Sequence, residues 1–319
     1  MTYIKELGQK AFGSRFKNLS DTLMQDVLKI YKEIHIDFEP RWFTIFQLLM
    51  EKKAVPITEI ANELEQSHPA VVQVVNMLEK RNLIITTNDP NDQRKRLISL
   101  SREGDELAKN LQETWDDIFE STSELLHDSD PEFLQHISQL ENAVSQNSLY
   151  ARVREKIKSR MIRDISFIPY QGIYQEIFYE LTMNWLEEYL EVSPYDARVL
   201  ADPIKEIIEK SGSIHMAMYK DEIIGCLAIR KVDSQACELL KFTIKKEFRG
   251  WGLGKYMLDH AISLAKACDC QKMLLFTHEN LKAATSLYRN AGFQEIIEYN
   301  GFSEPTGRCS ILMELNLNP

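Results

Sequence analysis

The first half of the chain repeats apolar residues at the spacing of helices, with one interruption. Residues 57–64 place four apolar side chains on one helical face, and a second helix is expected from Ser67 to about Arg81. Ser67 can cap this second helix, and Pro69 suits its first turn because no hydrogen-bonded amide is lost there. Two helices separated by so short a break predict a helix-turn-helix.

A hairpin is predicted after the second helix. Residues 83–87 and 97–101 are rich in β-branched and apolar residues, and the Asp89–Asp92 segment between them is a strong turn signal. Three consecutive cations at its tip suit the narrow minor groove of DNA or the flanking phosphates, and polar side chains on the second helix can reach base edges in the major groove. The residues predicted to bind DNA are Ser67, His68, Pro69, Gln73, Asn76, Arg94, Lys95 and Arg96.

Residues 89–104, with the sequence Asp-Pro-Asn-Asp-Gln-Arg-Lys-Arg-Leu-Ile-Ser-Leu-Ser-Arg-Glu-Gly, resemble the wing of MarR-family regulators. The Asp-x-Arg core of that wing falls on Asp92 and Arg94. The resemblance covers roughly residues 20–145 and implies a homodimer whose helix before the wing enters the major groove of double-stranded DNA. The sequence departs from the family at Gln93, where a basic residue is frequent, and at Asn82, where a glycine is frequent.

Two further amphipathic helices are predicted after the hairpin. Apolar residues recur every three or four positions from Leu107 to Leu125, and again from Phe133 to Val144 after Asp130-Pro131. These stripes can serve the internal core, or they can pair two chains as the MarR resemblance implies. We favour the pairing and therefore expect a homodimer.

The second half changes to alternating strands and helices from about residue 161. Runs typical of strands occupy residues 213–219, 223–229, 238–244, 272–277 and 308–315, and helical patterns begin at Leu253 and Leu281. This order predicts an α/β domain. The polar join near 145–148 separates it from the first half, so we predict a DNA-binding and dimerisation domain at residues 1–147 and a second domain at residues 160–319.

A glycine-rich turn connects one of these strands to a helix. Gly250, Gly252 and Gly254 leave backbone amides unobstructed, and the helix start adds free N–H donors and partial positive charge. With Arg249 and Lys255 beside them, these amides can receive a pyrophosphate. The spacing fits neither the Gly-x-Gly-x-x-Gly loop that binds dinucleotides nor the Gly-x-x-x-x-Gly-Lys-Ser/Thr loop that binds nucleotides.

What fits is Arg249-x-x-Gly252-x-Gly254, which resembles the acetyl-CoA loop of GNAT-family acetyltransferases. A second match is Leu281-x-x-Ala284-x-x-Leu287-Tyr288-x-x-x-Gly292-Phe293, and the resemblance as a whole covers about residues 161–317. The resemblance implies a mixed central sheet and acetyl-CoA as the acyl donor. The residues it predicts to bind acetyl-CoA are Phe242, Thr243, Ile244, Arg249, Gly250, Gly252, Leu253, Gly254, Lys255 and, one residue earlier than in the family, Asn280.

The same resemblance implies roles for two titratable residues. Tyr288 falls on the position of the tyrosine that protonates the departing CoA thiolate, although a helix tyrosine can equally pack against the sheet. Glu238 matches a carboxylate that removes the ammonium proton, but a glutamate at a strand edge can also be simply solvated. His215 and His278 can be structural.

The amine that accepts the acetyl group is left open between a small molecule and a protein lysine. Its binding residues are expected in the helical regions 171–190 and 196–210 and near 299–305. Trp185, Glu187, Glu188 and Tyr189 can line a pocket for a cationic amine. They can also be helix packing with a solvated acidic face, which is the interpretation we favour.

Composition and charge set limits on these interpretations. Residues 1–150 contain 16 Lys and Arg against 25 Asp and Glu, so DNA binding needs a local basic patch. The 319 residues include five scattered cysteines, no apolar run long enough to span a membrane and no secretory signal. We therefore expect a cytoplasmic protein with reduced thiols, no metal site and no membrane partner.

Three functions remain open on the sequence. The first is an acetyl-CoA-dependent N-acetyltransferase fused to a DNA-binding transcriptional regulator. The second is a regulator whose acetyltransferase-like domain only senses acetyl-CoA. The third is an acetyltransferase whose winged helix only dimerises.

Overall fold

The computed structural model describes residues 2–88, 96–303, 306–307 and 311–318. By its internal contacts the chain divides into two compact units, Met1–Gln139 and Leu140–Pro319. The predicted first domain ends 8 residues after the first unit (147 against 139), and the predicted second domain begins 20 residues after the start of the second unit (160 against 140), so the domain limits stay a prediction. Among the described residues, no helix is both long and apolar enough to cross a membrane.

The first unit is mainly helical, with a small antiparallel sheet. Its elements are α1 (Tyr3–Glu6), α2 (Phe12–Glu33), α3 (Phe43–Lys52), β1 (Ala54–Pro56), α4 (Ile57–Glu63), α5 (His68–Lys80), β2 (Ile84–Asn88), β3 (Arg96–Leu100) and α6 (Arg102–Ser129). Helix α7 (Phe133–Gln146) crosses the division between the units. The strands are ordered β1-β3-β2. This is the predicted winged helix-turn-helix, and the hairpin β2–β3 is its wing.

An aromatic cluster forms the centre of the first unit. Phe38 makes edge contacts with Trp42, Phe46 and Trp115, with ring centroids 5.0–5.8 Å apart. The buried indole of Trp115 donates a hydrogen bond of 3.0 Å to the Tyr31 hydroxyl. Because Tyr31 lies on α2 and Trp115 on α6, this bond joins two long helices inside the core, where an unpaired indole N–H would be costly.

The stripe predicted along α6 is buried over only half its length. Leu111 and Trp115 are buried, whereas Phe119 is 74% exposed and Leu125 is 53% exposed. Helix α7 contributes no buried residue at all. The internal-core explanation therefore accounts for α6 only as far as Ile118.

The second unit is an α/β layer structure. Its elements are α8 (Leu149–Arg163), β4 (Ile165–Pro169), α9 (Gln175–Tyr189), α10 (Pro194–Ala201), β5 (Gly212–Tyr219), β6 (Glu222–Lys231), β7 (Ala236–Ile244), α11 (Leu253–Ala267), β8 (Lys272–Thr277), α12 (Lys282–Asn290), β9 (Gln294–Ile296) and β10 (Ile311–Asn316). The seven strands are ordered β4-β5-β6-β7-β8-β10-β9. All neighbours are antiparallel except the parallel pair β7–β8, which makes the predicted mixed sheet.

Helices cover both faces of this sheet. Along β6, Leu227 and Ile229 pack into the core that contains α11, whereas Cys226 and Ala228 pack into the core that contains α9 and α10. Alternate side chains of a strand point to opposite faces, so a strand buried on both faces reads as a continuous apolar run. This explains why residues 223–229 show no polar alternation.

Candidate functional site

A cavity of about 750 Å³ opens in the second unit where β7 and β8 separate. The two strands pair only from Ala236 to Glu238 on β7, although β7 continues to Ile244. Beyond Glu238 the facing edges have no ladder bonds to each other. The cavity lies between them, lined by residues 239–244 on one side and by Phe276 and Thr277 on the other.

A bulge deforms β7 beside the cavity. The register shifts between Cys226 and Ala228 on β6, and Lys241 has a φ of 51°, which is the left-handed region that non-glycine residues rarely adopt. A buried ion pair holds this residue, since Nζ of Lys241 lies 2.7 Å from Oδ1 of Asp196. Asp196 also closes the capping box of α10 with Ser193, so the bulge is tied to the start of that helix.

The glycine-rich turn forms the cofactor end of the cavity. Gly250 and Gly252 have φ values of 80° and 79°, and Gly252 is the residue before α11. Gly254 lies where an added Cβ would come within 3.2 Å of Leu287 on α12. The first two positions have the left-handed backbone that favours glycine, and at the third a larger residue would press against the end of the Leu287 side chain.

Arg249, at the start of this turn, is held by side chains of α9. Its Nε donates to the Ile244 carbonyl at 2.9 Å, and its Nη1 lies 2.8 Å from Oε2 of Glu188 and 3.0 Å from the Tyr189 hydroxyl. Arg249 and then Lys246 lower the pKa of Glu188, so this carboxylate is ionised at neutral pH. Arg249 thus faces the cavity while paired with an anion from the protein itself.

Tyr288 lies on α12 at the inner end of the cavity. Its ring packs edge-on against Phe242 and contacts Phe293, with centroids 6.3 and 5.8 Å apart. Burial raises the pKa of the Tyr288 phenol above its ordinary value of 10. The hydroxyl is therefore protonated at neutral pH and can act as a proton donor.

Glu238 is buried on β7, at the point where the strands separate. Its Oε2 accepts a hydrogen bond of 2.6 Å from Nη2 of Arg230, and Arg230 also contacts the Tyr195 hydroxyl at 3.2 Å. The carboxylate is thus part of an ion pair inside the cavity wall, and the alternative of a simply solvated strand-edge glutamate is wrong for this residue.

Polar atoms without partners mark the two strands that border the cavity. The hydroxyls of Thr243 on β7 and Thr277 on β8 are buried, and neither has a hydrogen-bond partner within the described segments. Buried hydroxyls without partners are uncommon because desolvation is costly. Both oxygens are shielded from solvent by the protein itself, so they lie inside the cavity wall and do not indicate what binds there.

The cavity gathers nearly all of the residues predicted for the second half. Eleven of the twelve line it, and the exception, Leu253, is buried beneath the turn. Asn280 is exposed at the rim, where its N–H donates to His278 Nδ1 at 3.1 Å. Trp185 and Tyr189 also line the cavity, so these two belong to its wall as well as to helix packing. The roles of all these residues stay predictions.

The outer face of α5 carries the residues predicted to read DNA. Ser67 caps the helix, accepting a bond of 3.4 Å from the N–H of Ala70. His68, Pro69, Gln73 and Asn76 are exposed, as is Arg96 at the start of β3. Arg94 and Lys95 lie outside the described residues. Asn82 has a φ of 57° and so adopts the left-handed backbone conformation. This conformation favours glycine, the residue that is frequent at this position in the family that the first half resembles.

Comparison with known proteins identifies both halves. The acetyltransferase (GNAT) family model matches residues 174–293, and the MarR family model matches residues 36–95. The chain is 29% identical over 112 residues to the uncharacterised N-acetyltransferase YvbK of Bacillus subtilis, covering 34% of this chain and 72% of YvbK. It is 26% identical over 106 residues to the HTH-type transcriptional regulator FarR of Neisseria gonorrhoeae, covering 33% and 71%.

The chain resembles a MarR-family regulator fused to a GNAT-family acetyltransferase. Among solved structures, a GNAT acetyltransferase of Elizabethkingia anophelis with acetyl-CoA bound matches 48% of this chain and 98% of its own, at 24% identity and a TM-score of 0.33. The predicted fusion and fold class are confirmed by the two family matches and by the elements of the two units.

Sequence reasoning missed several polar residues of the GNAT-like half. Arg230, Lys241 and Asp196 form ion pairs in or beside the cavity wall, and each pair joins residues on different elements. Arg154 and Lys158 of α8 contact the glycine-rich turn. Residues 152–163 form a charged run in the sequence, and such a run does not show which of its residues face the turn.

Proposed function

We propose that this chain is a dimeric DNA-binding regulator whose GNAT-like half transfers an acetyl group from acetyl-CoA to an amine. The observation that carries the enzymatic part is the cavity between β7 and β8, which places the glycine-rich turn, the bulge and Tyr288 around one space. The acceptor is a small amine or a protein lysine.

Acetyl-CoA would supply an activated acyl carbon, and residues of the chain would bind the cofactor, stabilise the developing charge and transfer protons. Backbone N–H groups of the glycine-rich turn and the start of α11 bind phosphate oxygens. Successive N–H groups of a strand point to opposite edges, so those of residues 242–244 that point away from β6 would bind the acyl arm and stabilise negative charge developing on the acyl oxygen, an effect worth about 3 kcal/mol for one such donor. As the new N–C bond forms and the C–S bond breaks, Tyr288 gives its proton to the departing sulfur.

Glu238 is our candidate acceptor for the proton that the amine loses, directly or through water. Its place at the β7–β8 separation, beside the bulge and on the cavity wall, supports this role. Arg230 fixes the orientation of the carboxylate through the ion pair. Glu238→Gln should lower turnover, and it should do so more strongly below the pH at which the amine becomes neutral.

The test of the enzymatic part is release of free CoA thiol across a panel of amines, comparing the wild type with Tyr288→Phe. Removing a positioned acid typically costs about 100-fold, so we expect that loss in kcat with an unchanged KM for acetyl-CoA. Tyr219→Phe is the matched control because Tyr219 lies on β5 outside the cavity lining. If acetyl-CoA binds and no amine releases thiol, the GNAT-like half is a sensor.

The DNA-binding part rests on the exposed polar face of α5. A capped helix after a short turn, with His68, Gln73 and Asn76 free of the core, has the arrangement that places side chains in a major groove. Selection from random duplexes at a stated salt concentration tests this proposal. Gln73→Ala with Asn76→Ala should abolish enrichment of a sequence, and Glu51→Ala, an exposed change on α3, should not. If the wild type enriches nothing, the regulator assignment is wrong.

The homodimer rests on the exposed apolar residues of α6 and α7, among them Phe119 and Leu125, and on a further uncovered apolar stripe along α2, which was not predicted from the sequence. Phe12, Phe16, Leu19, Leu23 and Ile30 fall on one side of this helix and are each 38–51% exposed. A single chain leaves them in water, whereas pairing with the same surface of a second chain would bury them. We call these five residues the α2 stripe.

A further inference from the structure

Helix α8 contacts the glycine-rich turn, although it lies before the segment matched by the acetyltransferase family model. That segment begins at residue 174, whereas α8 ends at Arg163. One side of α8, formed by Arg154, Ile157, Lys158 and Met161, is partly or fully buried, and its apolar members pack into the core that contains α11. Two cations therefore lie on the packed side of the helix.

Arg154 binds the turn directly. Its Nη2 donates to the Gly250 carbonyl at 2.5 Å, and its guanidinium lies 5.2 Å from the ring centroid of Trp251. Arg154 has no ion pair within the described ranges of the chain, although its neighbours on the turn do. Its charge is therefore not compensated by a carboxylate of the protein.

Lys158 lies beside the start of α11. A Cβ added to Gly252 would be 2.5 Å from Lys158 Cε and 3.4 Å from its Nζ. The side chain thus lies against the residue where the free N–H groups of α11 begin, and its nearest anion is Glu155 on its own helix, at 3.1 Å. A cation at a helix start is unfavourable by itself, because the helix dipole already makes that end positive.

Of the cations around the turn, Arg154 is the one with no carboxylate partner among the described residues, since Lys158 is itself paired with Glu155. Arg249 is bound by Glu188, and Lys255 lies 2.9 Å from Asp259. Arg154 and Lys158 add positive charge to a region that also has exposed N–H groups. Such an accumulation is stable when a polyanion binds there, since phosphate oxygens satisfy the N–H groups and both cations.

We propose that Arg154 and Lys158 belong to the acyl-CoA site and bind its phosphate groups, so that α8 completes the site from outside the family segment. This inference rests on the proposed function. The ligand chemistry is a phosphate of CoA, either the pyrophosphate or the 3′-phosphate. Both lie on the nucleotide end of the molecule, away from the acyl carbon.

The experiment measures CoA binding to the full chain by calorimetry at two salt concentrations. Arg154→Gln with Lys158→Met removes both charges while keeping most of each side chain. Lys156→Met with Arg160→Gln removes two charges from the exposed side of the same helix and is the matched control. We expect the first pair to weaken CoA binding by roughly five-fold or more, and the control to leave it unchanged.

The salt dependence of CoA binding distinguishes two causes of weaker binding, namely loss of a phosphate contact and distortion of the glycine-rich turn. Charge contacts are screened by salt, so losing them should flatten the decrease of affinity between low and high salt. The conservative pair Arg154→Lys with Lys158→Arg should restore that decrease. Repeating the measurement with 3′-dephospho-CoA identifies the phosphate that is bound. If the test pair still binds this ligand more weakly than the wild type does, the contact is with the pyrophosphate. If the two proteins bind it equally, the contact is with the 3′-phosphate.

Three results would overturn the proposal. Equal affinities of the test pair and the control pair would show that α8 does not bind the phosphates. Weaker binding with unchanged salt dependence would show that α8 only shapes the turn. Absence of CoA binding by the wild type would overturn the proposed function and this inference together, whereas in the first two cases the proposed function stands.

Discussion

If the cavity binds acetyl-CoA as proposed, Glu188 would compete with the cofactor phosphates for Arg249 at the mouth of the cavity. The carboxylate of Glu188 contacts Arg249 at 2.8 Å and Lys246 at 3.1 Å, so it neutralises charge that a phosphate could use. It also repels phosphates directly, because Arg249 and Lys246 lower its pKa and keep it ionised. Under the proposed function, this residue would therefore oppose cofactor binding.

We predict that Glu188→Gln strengthens acetyl-CoA binding by about two- to five-fold, as expected for removing one partly exposed opposing charge. Equilibrium binding of acetyl-CoA measures this, with Glu187→Gln as a control of equal charge change on the neighbouring exposed residue. Weaker binding in Glu188→Gln would mean instead that the carboxylate orients Arg249 for the phosphate, and the competition argument would be wrong.

At the scale of elements, two histidines connect α11 with the outer strands of the sheet. The His260 ring on α11 stacks on Phe167 of β4 at 3.8 Å and lies 5.3 Å from His215 of β5. The Nε2 of His260 is buried without a partner among the described residues. Burial lowers the pKa of both histidines, and His215 lowers that of His260 further.

We predict that the second unit loses stability as the pH falls below about 6.5, the ordinary value for histidine. Both folded pKa values are depressed, so the unfolded chain takes up protons first and the stability is lost as pH falls through the folded values. Urea midpoints at pH 7, 6 and 5 measure this. His260→Phe should reduce the loss, and His127→Gln, an exposed histidine on α6, should not. An equal decrease of the urea midpoint with falling pH in the wild type and in His260→Phe would contradict the prediction.

The elements that the sequence predicted well are those with a complete local signal. Helix α5 has an apolar face, a capping Ser67 and an early proline, and it was predicted within a residue at each end. Strand β7 was predicted, but its bulge was not, because Lys241 gives no sign of a left-handed backbone. Helix α8 was not predicted, since its few apolar positions lie in a charged run, and its contacts with residues 250 and 252 are distant in sequence.

In the candidate site, too, features with a local sequence signal could be predicted and contacts between distant residues could not. Positions tied to local backbone geometry, such as Gly252 before α11, could be found from their spacing. Ion pairs could not, because Arg249 and Glu188 are 61 residues apart and nothing local selects one carboxylate over another. The sequence therefore predicted which residues surround the cavity better than it predicted which charges are already neutralised.

At the scale of the whole molecule, the α2 stripe is a surface through which we propose that two chains pair. Each fully buried large apolar side chain contributes roughly 1.5–3 kcal/mol. Five half-exposed residues on each of two chains therefore offer several kcal/mol to an interface. A two-fold pair would also present two α5 helices to DNA, as a palindromic site requires.

We predict that Leu19→Glu with Leu23→Glu converts a dimer into a monomer, because each charge would lose its water in the paired surface. Light scattering after gel filtration measures the mass, and the wild type should give twice the 37.1 kDa of one chain. Asn18→Glu with Gln25→Glu adds the same charge on the opposite side of α2 and should stay dimeric. A wild type that elutes as a monomer, or two variants of equal mass, would show that the α2 stripe is not the dimer interface.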